Sequence, residues 1–92
     1  MNVLDILKKH EPEIKEKFGV SKIGLFGSSA REEQNESSDI DILVKFEEPS
    51  FDRFMELSFF LEELFGKTVD LVTTGGISPY MEPTIRKEVV WV

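Results

Sequence analysis

The sequence predicts an α/β (α+β) fold, a small mixed β-sheet packed with helices. Three observations predict it. Amphipathic stretches alternate with short apolar runs, in the order helix, strand, short helix, strand, helix, strand, short helix, tail. The run Ile42-Leu43-Val44 is apolar without interruption, which suggests a central strand covered on both faces. Glycines sit at the boundaries between elements, at Gly19, Gly27 and Gly66.

Residues 2–18 read as an amphipathic helix. Val3, Ile6, Leu7, Ile14 and Phe18 recur near helical spacing, and Lys8, Lys9, Glu13, Lys15 and Glu16 fill the other face. Pro12 predicts a kink or a break into two helices around His10-Glu11, and Gly19 a stop. Val20–Phe26 is a short apolar strand running into Gly27. Ser29 and Glu32 have capping-box spacing, so a short helix starts at Ser28 or Ser29, and Glu33–Ser38 is a polar loop. Asp39–Phe46 is the second strand. After the turn Glu47-Glu48-Pro49, Ser50 can cap a helix over Phe51–Phe65, whose stripe of Phe54, Leu57, Leu61, Leu64 and Phe65 should face the sheet. Phe51, Met55 and Phe59 lie along one edge of that stripe, and Phe60 falls among polar neighbours. Gly66 ends the helix. Lys67–Thr73 is the third strand, Met81–Lys87 a short helix, and Val89–Val92 a last strand or a docked tail.

The chemistry concentrates in residues 24–44. Asp39 and Asp41 are one residue apart, so on a strand both carboxylates point to one face while Ile40 and Ile42 point to the other. Two aspartates side by side repel each other unless a cation sits between them. Mg²⁺ suits such a place, being a hard ion held by one or two carboxylates plus substrate phosphates. Asp is also depleted in strands, which argues against an incidental pair. Gly27-Ser28 can supply the other half of the site, because a glycine lets backbone approach a ligand and amides opening a helix favour phosphate. An ordinary strand-to-helix turn would use the same two residue types. A third carboxylate, Asp70, lies on a later strand between Val69 and Leu71. Arg31, three residues after Ser28, can neutralise phosphate charge or form a surface ion pair. No P-loop pattern is present.

The spacing Gly27-Ser28, ten residues, Asp39-Ile40-Asp41 resembles the signature of the DNA polymerase beta-like nucleotidyltransferase superfamily. Within it the chain is most similar to the minimal nucleotidyltransferases, through Gly27-Ser28-Ser29-Ala30-Arg31 and Ser38-Asp39-Ile40-Asp41-Ile42-Leu43-Val44. Glu32 departs from the pattern, where a glycine is usual. The resemblance spans nearly the whole chain and implies the polymerase beta-like fold, with three carboxylates converging at one sheet edge. It implies that Asp39, Asp41 and Asp70 are catalytic and hold two Mg²⁺ ions, Asp70 also accepting the acceptor's proton. Gly27, Ser28 and Arg31 are then the binding residues for the phosphates of a nucleoside triphosphate, with ATP as substrate. The implied partner is a HEPN-family helical protein, a ribonuclease toxin that the antitoxin silences by adenylylating a tyrosine.

Composition bounds these expectations. Ninety-two residues make one small domain, 1–92, which must bury its surface efficiently. The net charge of −7 works against gripping a phosphate backbone, so no direct nucleic-acid binding is expected. It fits a basic partner. No apolar run approaches a membrane span and no leader is readable; the absence of cysteine fits a reducing cytoplasm. So short a chain should borrow its acceptor site from a partner, or from a homo-oligomer. The alternatives are a small-molecule, aminoglycoside-type nucleotidyltransferase, a non-catalytic subunit acting by binding alone, and a sensor of Mg²⁺-ATP. His10 reads as solvated, and Trp91 and Tyr80 as anchors of the C-terminal segment.

Overall fold

A computed structural model describes residues 3–27 and 39–92. Helix α1 spans Val3–Phe18, followed by strand β1 (Val20–Leu25), strand β2 (Ile40–Phe46), helix α2 (Phe51–Phe65) and strand β3 (Val69–Thr73). A 3₁₀ turn at Thr74–Gly76, helix α3 (Glu82–Glu88) and strand β4 (Val90–Trp91) complete the order. The strands form one mixed sheet in the order β3-β2-β1-β4. β2 pairs parallel with β3 and antiparallel with β1, and β4 adds an antiparallel edge to β1.

One face of this sheet makes the core. Ile23, Leu25, Ile40, Ile42, Val44, Phe46, Val69 and Leu71 point to it and meet Leu7, Ile14 and Phe18 of α1 and Leu57 and Leu61 of α2. The α2 boundaries follow the sequence. Ser50 accepts a hydrogen bond from the Arg53 amide at 3.2 Å, and Gly66 closes the helix at φ 65°, its amide donating to the Glu62 carbonyl. Glu62 then ties the helix to the next strand by accepting from the Val69 amide at 3.1 Å.

Three expectations need correction and one needs narrowing. The chain does not break at Pro12: α1 is one helix from Val3 to Phe18. Pro12 and Lys8 are exposed, so water can reach the carbonyl that loses its partner. β2 is internal and its apolar run Ile42-Leu43-Val44 is buried on both faces, but the cover on the second face is local, since Asp41 is half-buried and Lys45 exposed on either side of Leu43. Phe60 is not among polar neighbours alone; it packs on the core, its ring 5.3 Å from that of Phe18. Tyr80 anchors nothing, standing 93% exposed in a turn closed by the Met81 amide and the Ser78 carbonyl. Ile85 of α3 is the buried anchor of that segment. The short helix expected at Ser28 or Ser29 and the loop 33–38 lie outside the described residues.

Candidate active site

The antiparallel pairing of β1 with β2 brings the end of one strand to the beginning of the other. The Phe26 amide donates to the Asp41 carbonyl at 3.2 Å, which holds Gly27 over the start of β2. Gly27 adopts φ 60°, and a Cβ on it would lie 2.7 Å from Asp41 Oδ2. The missing side chain therefore lets the backbone stand against the carboxylate more closely than any other residue would allow. An L-residue there would be strained as well as crowded.

The parallel pairing of β2 with β3 sets Asp41 opposite Asp70. Register partners on neighbouring strands project from the same face, so two carboxylates stand side by side on the face opposite the core. Asp39 precedes β2 by one residue and is exposed. Glu47 and Glu48 follow the far end of β2, roughly 20 Å away along the strand, so they are not neighbours of this site. Ser28 and Arg31 lie outside the described residues. His10 is on the surface of α1 with Glu13 Oε2 3.4 Å from its Nδ1.

Do these residues suit Mg²⁺? Among the described residues no three carboxylate, imidazole or thiolate side chains form a ready-made metal cluster. Mg²⁺ does not require one: it keeps several waters and takes one or two carboxylates together with substrate phosphates. The paired Asp41 and Asp70, with the Gly27 backbone close against Asp41, match that demand in donor type. Such a site can take a cation on its carboxylates, with a phosphate completing the cation's coordination from the solvent side.

Alternation along β2 puts Asp41, Leu43 and Lys45 on this same open face. Lys45 faces Lys22 in register, and Gly24 faces both Leu43 and Trp91. The segment from Thr74 to Trp91 arches over the face and leaves a cavity of about 450 Å³ whose lining includes Leu43, Ile77, Val89, Trp91, the cations Lys22, Lys45 and Arg86, and the carboxylate of Glu82. Sequence reading missed this surface. The signal for Lys45 was available in the alternation from Asp41. The signal for Lys22 was hidden, because an irregularity between Val20 and Lys22 shifts the register and puts Lys22 on the face opposite Val20.

Known proteins share both sequence and fold. The protein adenylyltransferase MntA of Thermococcus cleftensis is 49% identical over 88 residues, which cover 95% of this chain and 89% of that one. A solved structure named as a minimal nucleotidyltransferase superposes with a TM-score of 0.80 at 32% identity, over 98% of this chain and 95% of its own. At 20% identity the fold alone is shared with a chain from a complex of tri-AMPylated Shewanella oneidensis HEPN toxin with MNT antitoxin, at a TM-score of 0.69 over 97% of this chain and 71% of that one. Residues 7–92 match the model of the nucleotidyltransferase domain, so the expected fold is borne out and the chain belongs to the nucleotidyltransferase domain family.

Proposed function

We propose that this protein transfers AMP from ATP to a hydroxyl of a partner protein, acting as the antitoxin of a pair whose HEPN-family toxin is adenylylated on a tyrosine. The observation that carries the reading is the register pair Asp41–Asp70 with the Gly27 backbone close against Asp41. Two like charges held together serve no packing purpose and suit a cation and a triphosphate. The relative in Thermococcus cleftensis, named a protein adenylyltransferase, supports the acceptor class, and the Shewanella complex supports the partner.

In this reading the acceptor oxygen forms a bond to the α-phosphorus of ATP. The bond from that phosphorus to the oxygen bridging to the β-phosphate breaks, and pyrophosphate leaves. Asp70 takes the hydroxyl proton. Asp39, Asp41 and Asp70 would hold two Mg²⁺ ions, which stabilise the attacking and leaving oxygens of such an in-line displacement. Gly27 lets the phosphates approach the backbone, Ser28 donates to the β- and γ-phosphates, and Arg31 offsets their charge. The chain works as a single domain, 1–92, in the cytoplasm. Among the described residues no helix is long and apolar enough to cross a membrane.

ATP labelled at the α-phosphate, Mg²⁺, this protein and the product of its neighbouring gene test the reading. Label should appear on the partner with the wild type. It should fall about a hundredfold or more with Asp39→Asn/Asp41→Asn, since such a metal contributes several kcal/mol to the transition state. Label on neither protein would sink it, and survival of toxin neutralisation in cells carrying Asp39→Asn would favour an antitoxin acting by binding alone.

A further inference from the structure

The open face of the sheet carries two pairs of like charge. At one end Asp41 faces Asp70; farther along, Lys22 faces Lys45. Both lysines are exposed, and like charges directly opposite each other destabilise a sheet. The Asp pair is explained by the site already described. The Lys pair is not.

Between the two pairs runs the groove floored by Leu43 and walled by Ile77, Val89 and Trp91. Arg86 adds a third cation, held by Glu82 at 2.6 Å, and the Lys22 ammonium lies 5.6 Å from the centre of the Trp91 ring. Glu82 also lines the groove, so three cations and one carboxylate leave it net positive, in contrast with the rest of a chain whose net charge is −7. Apolar walls with cations along them suit a polypeptide bearing carboxylates. The phosphates of a nucleotide have their place at the other end, by Gly27 and the paired aspartates.

We propose that this groove seats an extended, acidic segment of the acceptor protein, and so selects hydroxyls that have carboxylates nearby in sequence. The proposal rests on the protein-acceptor reading above. Distances along β2 give it a register. Leu43 lies two residues from Asp41 and Lys45 four, so the lysine pair is about 13 Å from the carboxylates. An extended segment with its hydroxyl at Asp41 and Asp70 therefore sets side chains two to four residues away over the groove and the lysines. Acidic side chains at those positions relieve the Lys22–Lys45 repulsion; basic ones add to it.

Trp91 is the chain's one tryptophan, so its fluorescence reports on the groove. The probe is a random copolymer of glutamate and tyrosine, compared with one of lysine and tyrosine. Net charge alone predicts that an acidic protein binds the lysine polymer. The groove predicts that the glutamate polymer alters Trp91 emission in a saturable way, and that Lys22→Glu/Lys45→Glu weakens its binding about tenfold or more. The single Lys22→Glu guards against a folding artefact. It turns a repulsive cross-strand pair into an attractive one, so its melting temperature should rise while its binding of the glutamate polymer falls.

Equal binding by wild type and Lys22→Glu would overturn the proposal, as would an emission change produced by Mg²⁺-ATP alone and abolished by the same substitution, which would give the groove to the nucleotide. Binding needs no turnover. A failure of α-labelled ATP to mark any protein therefore leaves this readout intact, and the two failures are distinguishable.

Discussion

Gly27 and Gly66 share a backbone conformation, φ 60° and φ 65°, but not a neighbourhood. A Cβ at Gly27 meets Asp41 Oδ2 at 2.7 Å, whereas one at Gly66 meets nothing within 4 Å. Forcing an alanine into the left-handed region costs about 1–2 kcal/mol at either site. Gly27→Ala should therefore lose that much stability and also displace the Asp41 carboxylate. Gly66→Ala should lose the stability alone. Urea unfolding of both variants, beside their rates of α-label transfer, separates the two effects. Equal activity losses per folded molecule would mean that the close approach of Gly27 to Asp41 has no part in the site.

At the scale of elements, a sheet built for packing would not set Asp41 against Asp70. Without a divalent ion the pair is a cost, so Asp70→Asn should raise stability by about 0.2–1 kcal/mol. Mg²⁺ should raise the melting temperature of the wild type more than that of Asp70→Asn, because ligand that binds only the folded state stabilises it. Thermal melts with and without Mg²⁺ check both signs, and a variant less stable than wild type in the absence of metal would contradict them. How much of this was legible follows the range of the interaction. Caps and periodicity are local, so α2 could be read from Ser50, its apolar stripe and Gly66. The two carboxylates before and in β2 could be read from spacing. The pairing of Asp41 with Asp70 could not, because parallel register is set by tertiary packing across a connecting helix. Pro12 misled for a similar reason: its effect on a helix depends on whether the lost hydrogen bond faces water, and that is decided by which face is buried.

For the molecule as a whole, the sheet separates two jobs. Its inner face holds Leu7, Ile14, Leu57 and Leu61, each fully buried, and its outer face holds the paired charges and the groove. A domain of this size has a total stability of roughly 5–14 kcal/mol at the usual value per residue. Leu61→Ala removes a fully buried side chain from the inner face and should cost about 2–5 kcal/mol. At about 4–8 °C of melting temperature per kcal/mol, that is a fall of about 8 °C or more. Because Leu61 is on the far side of the sheet from Asp41 and Asp70, molecules that remain folded should keep their transfer rate. Assays run well below the lowered melting temperature, normalised to the folded fraction, test this separation. A loss of activity per folded molecule as large as that of Gly27→Ala would mean that the helices position the carboxylates directly, and that the two faces of the sheet do not act independently.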